Sequence, residues 1–259
     1  MRIAIIGVGH MGSWLANELK TDHQVAVYDV DLKIARTIDD VEVLMDLESL
    51  DKFRPEMLIN AVSIRETIPV FKSVTKYLPK DCVLADVTSV KGTLSAYYKS
   101  CGFEFASVHP MFGPTFANIQ NLKEENAIII SESNVAAKDF FKMFFYQKGI
   151  NIFEFSFDEH DKMIAYSLTL PFASTMVFAA CMENKTVPGT TFKRHLAIAK
   201  GVLSEDDFLL ADILFNKYSI KELDKVTSRL EFLKHVIKGR DYEEAVKFFN
   251  GLRDNIKKS

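Results

Sequence analysis

The sequence predicts an α/β fold, a mostly parallel sheet followed by an all-helical region, on three observations. Short apolar runs alternate with helical periods through the first half. A glycine-rich turn joins the first run to the first helix. After about Phe157 the strand signals stop while helical periods continue.

The apolar runs are Arg2–Ile6, Val25–Tyr28, Met57–Ala61, Cys82–Asp86, Phe105–Val108, Ala127–Ile130 and Ile152–Phe155. Each is four or five residues long, the length of a buried strand. Amphipathic periods lie between them at Met11–Lys20, Thr67–Tyr77 and Val135–Lys148. Helices are expected over 158–183, 190–203, 205–215, 219–238 and 241–257, punctuated by Gly189 and Gly239. Two domains follow from this reading: an N-terminal Rossmann-type dinucleotide-binding domain over 1–156 and an all-helical substrate and dimerisation domain over 157–259.

The opening RIAIIGVGHMGSWLANEL carries Gly7, Gly9 and Gly12 in G-x-G-x-x-G spacing, after a strand and at the start of a helix. Gly7 makes the tight turn, Gly9 admits a pyrophosphate close to the backbone, and Gly12 lets helix and strand approach. His10 and Met11 sit within the same loop, where the free N–H groups of a helix start favour phosphate. Asp29 ends the second apolar run, at the distance from which a carboxylate accepts from a ribose hydroxyl and repels a 2′-phosphate. No arginine follows it directly, so the expected cofactor is NAD rather than NADP. Asp31 is read as a helix cap on the surface.

Composition excludes several classes. The net charge is −3 and the basic residues are dispersed, so no nucleic-acid partner is expected. Three cysteines, Cys82, Cys101 and Cys181, have no paired spacing, so neither a disulfide framework nor a metal site is expected. MRIAIIG lacks the basic start of a signal peptide, and a cytoplasmic location is expected. From Met163 to Met182 the chain carries no charge. That is the length of a membrane span. Ser167, Thr169, Ser174, Thr175 and Pro171 argue instead for a buried helix, covered by a second copy in a homodimer.

Two strand ends carry polar clusters. ADVTSVKG supplies Asp86, Thr88, Ser89 and Lys91; SVHPMFGP supplies His109 in a loop stiffened by Pro110, Gly113 and Pro114. Doubly wound sheets bind ligands at the carboxyl ends of their strands. A neutral imidazole there can take a proton as a hydroxyl-bearing carbon gives up hydride. A structural loop histidine is the alternative.

GVGHMG, DVTSVKG, HPMFGP and DEHDKMIAYSL, in that order, resemble the prephenate dehydrogenases of tyrosine biosynthesis. The similarity extends to FKRHLAIAKGVLSEDDFLLADILF and is greatest to the dehydrogenase part of the bifunctional chorismate mutase–prephenate dehydrogenases. No mutase domain is expected, since the glycine loop begins at residue 7. The resemblance implies NAD-dependent oxidative decarboxylation of prephenate to 4-hydroxyphenylpyruvate, or of arogenate to tyrosine. It places the catalytic histidine on His109, which would take the proton of the ring hydroxyl. It places a serine that helps hold that hydroxyl on Ser89, and suggests Lys91 as an electrostatic partner for a dianionic substrate or a structural residue. The family's second histidine falls on His160, either reaching the substrate cleft or closing a helix start with Asp158 and Asp161.

The sequence also departs from the family pattern. Thr169 and Phe172 stand in SLTLPFAS where many members carry a histidine. Ala197 and Gly201 stand where an arginine for a substrate carboxylate would align, leaving Lys193, Arg194 and Lys200 as the basic candidates. Another two-domain dehydrogenase of the β-hydroxyacid or pyrroline carboxylate type, or a dinucleotide-sensing module without catalysis, fits the glycine loop as well.

Overall fold

The computed structural model describes residues 1–113, 121–183 and 187–257. Among the described residues eight strands form one sheet: β1 Arg2–Ile6, β2 Gln24–Tyr28, β3 Glu42–Val43, β4 Met57–Asn60, β5 Val83–Asp86, β6 Phe105–Pro110, β7 Asn126–Ile130 and β8 Asn151–Phe155. Their order is β3-β2-β1-β4-β5-β6-β7-β8. All pairings are parallel except β6 with β7. The order reverses at β1, which places a crevice at its carboxyl end. The helices of the first half are α1 His10–Leu19, α2 Leu32–Ala35, α3 Ser49–Phe53, α4 Ile64–Val74, α5 Leu94–Ser100, α6 Val135–Gln147 and α7 Phe157–Ile164. Those of the second are α8 Leu170–Ala180, α9 Thr190–Val202, α10 Asp207–Leu214, α11 Ser219–Gly239 and α12 Tyr242–Lys257.

Alternation of side chains along each strand explains the two cores. Ile3, Ile5, Val25, Val27, Ile59 and Val108 pack with Trp14 and Leu15 of α1 and Phe141 and Phe145 of α6. Ala4, Ile6, Ala26, Leu58 and Leu84 pack on the opposite side with Phe53, Phe71, Val74 and Tyr98. A strand buried on both faces reads as a continuous apolar run, which is why β1, β4 and β5 are so plain in the sequence.

Three features differ from expectation. β3 is two residues long, too short to leave a periodic signal. The single helix expected over 158–183 is α7, a π-helical turn at Ala165–Thr169, and α8. Pro171 follows the turn and has no N–H to give the preceding coil. The expected cut at 156/157 is also not where the chain divides. One compact unit is Met1–Ile164 with Glu205–Lys217; the other is Ala165–Ser204 with Tyr218–Ser259. α7 stays with the sheet because Phe157 is part of the core on its α3–α5 side. α10 stays there too: Arg65 of α4 lies over the Phe208 ring of α10, 4.6 Å from its centroid.

In the helical unit, α8 packs on α9 and α11, and buried Thr169 and Ser219 share a hydrogen bond of 2.8 Å. The helical run Phe157–Ala180 is long and apolar enough to cross a membrane by length and composition, and 22% of its most apolar window is buried.

Candidate active site

The glycine loop leaves β1 in the geometry its spacing requires. Gly7 has φ +90°, and a Cβ there would stand 2.8 Å from backbone atoms of Ala61 and Val62. A Cβ on Gly12 would lie 1.9 Å from the Gly7 carbonyl oxygen, so only glycine lets α1 start this close to the turn. Gly9 faces open space, with nothing within 4 Å of a Cβ position. That is the room a pyrophosphate needs at a helix N-terminus. His10 is exposed and Met11 half-buried against the core.

Asp29 follows β2 and is half-buried. Its Oδ2 accepts from the Val8 amide at 2.7 Å and its Oδ1 from the Asp31 amide at 2.9 Å. The carboxylate is thus fixed against the glycine loop with lone pairs to spare for a ribose hydroxyl. Asp31 caps α2, accepting from the Lys33 amide. The residues present fit a dinucleotide.

Because β1, β4, β5 and β6 are parallel, their carboxyl ends share one edge of the sheet. The turn after β5 and the end of β6 therefore come together. Pro110 is not loop but the last residue of β6, and Pro114 lies outside the described residues. His109 is buried, with its Cα opposite Ile128 of β7.

The His109 Nδ1 lies 3.0 Å from His160 Nε2. The His160 Nδ1 lies 3.2 Å from Asp161 Oδ1. Asp161 also accepts the backbone amides of Lys91 and Gly92, each at 3.1 Å. This chain assigns the protons. A carboxylate only accepts, so His160 Nδ1 carries N–H and donates to it. His160 Nε2 is then bare and accepts from His109 Nδ1–H. The His109 Nε2 is left with its lone pair, the form a base needs.

Lys91 is not placed to meet a substrate. Its side chain is fully buried and its Nζ lies 2.6 Å from Asp86 Oδ1. The same ammonium donates to the Val108 carbonyl at 2.7 Å, one residue before His109. Asp86 is held further by Thr88 Oγ1 at 2.7 Å and the Tyr98 hydroxyl at 2.8 Å. Burial pushes the Asp86 carboxyl up, but the Lys91 charge and the hydrogen bonds from Lys91 and Thr88 outweigh it and bring it below the ordinary carboxylate range. The substrate-contact reading of Lys91 is thereby corrected: its cation is consumed by Asp86 and its job is to hold the end of β6. His160 likewise is a fully buried neighbour of His109 rather than an open helix start.

Ser89 is half-buried in the turn after β5. Lys193, Arg194 and Lys200 are all exposed on α9, in the other compact unit. A cavity of about 490 Å³ lies in the sheet unit, lined by Arg65, Gly92, Thr93, Asp161 and Phe215 among others. Its walls include neither His109 nor the glycine loop, so it is not where a ring would react with the dinucleotide.

Sequence reasoning did not find Tyr98 or the acceptor role of Asp161. Tyr98 is masked by its place among apolar residues of α5. The signal for Asp161 is the HDK run, where a carboxylate directly follows a histidine.

Burial lowers both histidines. For His109, burial comes first, then the His160 ring and the Lys91 charge, and its pKa falls well below 6.5. For His160, burial outweighs the Asp161 hydrogen bond that opposes it. The folded state thus excludes protons that the unfolded chain binds below pH 6.5. Stability is complete above that pH and falls as the pH drops toward the folded values. The expected loss is about 1.4 kcal/mol per pH unit for each ring. Urea midpoints at neutral and mildly acid pH measure it, and a flat profile would refute it.

Residues 15–139 match the family model described as prephenate dehydrogenase, nucleotide-binding domain. The protein described as probable arogenate/prephenate dehydrogenase from Methanocaldococcus jannaschii is 23% identical over 265 residues, covering 95% of this chain and 59% of its own length. Chloroplastic arogenate dehydrogenase 1 of Arabidopsis thaliana is 24% identical over 258 residues, covering 90% of this chain and 39% of its own. The chain therefore spans less than two thirds of the length of these relatives. The crystal structure of prephenate dehydrogenase from Aquifex aeolicus, in complex with hydroxyphenyl propionate and NAD+, superposes with a TM-score of 0.85. It covers 100% of this chain and 98% of its own at 19% identity, which speaks for the shared fold. Sheet order, glycine loop and the matched nucleotide-binding domain agree in likening this chain to the prephenate/arogenate dehydrogenases.

Proposed function

We propose that this protein oxidises prephenate with NAD, releasing carbon dioxide and 4-hydroxyphenylpyruvate. The observation that carries this reading is the proton assignment at His109. A buried, neutral imidazole with its bare Nε2 stands at the strand edge where the dinucleotide loop begins. NAD, held by the loop from Gly7 to Gly12 and by Asp29, supplies the hydride acceptor.

The chain's own residues do the rest. His109 Nε2 takes the proton of the ring hydroxyl while the carbon bearing that hydroxyl loses hydride, and the O–H pair becomes C=O. The bond to the ring carboxylate then breaks, and its electron pair enters the ring. Carbon dioxide leaves, and the oxygen recovers its proton from His109 as the aromatic ring forms. Ser89, in the turn beside Lys91, holds the hydroxyl in line.

The pyruvyl side chain is preferred to the amino-acid side chain of arogenate on the sequence FKRHLAIAK, whose Lys193, Arg194 and Lys200 are the expected basic partners of a substrate carboxylate and which carries no carboxylate to receive an ammonium group. NADH formation from prephenate and from arogenate, assayed in parallel, tests both points. Turnover of prephenate supports the proposal. Turnover of arogenate alone reverses the side-chain assignment, and turnover of neither overturns it.

The helical unit is proposed to pair with a second copy. Tyr166, Val177, Ile198, Leu230, Ile237 and Ile256 are all exposed, apolar side chains of the kind that a second copy would cover. Light scattering on the purified protein should give twice the chain mass of 29.4 kDa; a monomer at micromolar concentration would remove the idea.

A further inference from the structure

We infer that His160 is a second proton carrier in the reaction: as His109 Nε2 accepts the substrate's proton, His109 Nδ1 passes its own to His160 Nε2, and the positive charge comes to rest beside Asp161. This rests on the reading of His109 as the base and deepens it.

The geometry is already that of a relay. The two nitrogens are 3.0 Å apart, and the rings meet edge to face at 67°. The donor order derived above points every N–H toward Asp161, so a proton entering at one end displaces one at the other. The two rings differ in what surrounds them. His109, at the end of β6, has the Lys91 ammonium on the carbonyl of the preceding residue and, among the described residues, no carboxylate in hydrogen-bond contact. His160, on α7, has Asp161 as a direct partner, Lys91 and Asp86 from the β5 turn as more distant charges, and the His109 ring from β6. The ring with a carboxylate on it is the better place for a charge.

Asp161 is built to receive it. Two backbone amides, from Lys91 and Gly92, fix its oxygens, and Asn216 Nδ2 donates to its carbonyl at 2.8 Å. His160 is fully buried, so water does not compete for the transferred proton.

The step balances. The substrate O–H breaks and His109 Nε2–H forms; His109 Nδ1–H breaks and His160 Nε2–H forms. When the carboxylate bond breaks and the ring becomes aromatic, both transfers reverse and the phenol oxygen regains its proton. No proton is lost to solvent, and the histidine pair stores it between hydride departure and the loss of carbon dioxide.

Nitrogen-15 labelling of the histidines tests this in the whole protein without turnover. At neutral pH both rings are expected as neutral Nδ1–H tautomers. On acidification His160 should take the imidazolium shift while His109 changes from the Nδ1–H to the Nε2–H tautomer in the same step. His109 itself becoming the imidazolium, or standing as Nε2–H at neutral pH, would overturn the relay. His160→Asn gives the kinetic counterpart. Its amide can still accept from His109 and donate to Asp161, so position is kept and the carrier lost. The plateau of kcat should fall about tenfold or more, with unchanged KM and an acid limb moved to lower pH. A wild-type plateau with an unmoved limb would refute the inference. Failure of the underlying reading looks different: the tautomer change persists while wild-type protein turns over no cyclohexadienol.

Discussion

His109→Asn lowers kcat by about 10²- to 10⁴-fold, the usual worth of a positioned general base, and leaves the affinity for NAD at the wild-type value. Asparagine can still donate an N–H to His160 Nε2, so the hydrogen bond at 3.0 Å has a replacement. What it lacks is a basic lone pair at the other end of the side chain. The dinucleotide contacts proposed here, at Gly7–Gly12 and Asp29, involve neither His109 nor its neighbours. Binding titration by NAD-dependent fluorescence and a steady-state assay separate the two effects. Wild-type turnover in the variant would remove His109 from the chemistry, and lost NAD binding would mean the substitution acts through the fold.

The same site predicts the pH profile. Burial, then the His160 ring, then Lys91 hold the His109 imidazole neutral well below its ordinary 6.5. The active form therefore persists to lower pH than for an exposed histidine. The acid limb of kcat/KM is expected below pH 6.5, the ordinary value.

How much of this was legible in the sequence depends on the kind of interaction. Strands buried on both faces leave continuous apolar runs, so β1, β4, β5 and β7 were readable almost to the residue. β3 pairs through two residues and leaves no pattern. The glycine loop was readable because its constraints are local: Gly7 and Gly12 meet each other across five residues. Asp86 and Lys91 are also close in sequence, yet their pairing was not evident, because a D-x-x-x-x-K spacing on a turn has many geometries. The contact of His109 with His160 spans 51 residues and depends on α7 packing back on the sheet. No periodicity encodes that. The π turn at Ala165–Thr169 leaves the same apolar composition as the helix around it and hid for that reason.

The buried pair under His109 is where a single substitution should cost most. Lys91→Met removes the cation from a site in which both side chains are fully buried. It leaves the Asp86 carboxylate with Thr88 and Tyr98 but no counter-charge. Breaking one side of such a pair costs about 3–5 kcal/mol. The pH dependence also changes sign. In the wild type the Asp86 carboxyl is depressed, so its contribution is present above the ordinary carboxylate value and is lost only as pH falls through the depressed one. Without Lys91, burial dominates and raises the carboxyl. The variant then recovers stability relative to wild type as pH falls, because protonation removes the stranded charge. Urea unfolding at neutral and mildly acid pH reads both effects. The double variant Asp86→Asn, Lys91→Met should recover much of the loss, since neither charge remains. A Lys91→Met protein as stable as wild type at neutral pH would mean that Asp86 finds another partner. Turnover is expected to drop with stability, for the Lys91 ammonium also grips the Val108 carbonyl and so sets where β6 presents His109. Adding the Asp86→Asn change restores the fold without restoring that grip, so stability and turnover should separate in the double variant.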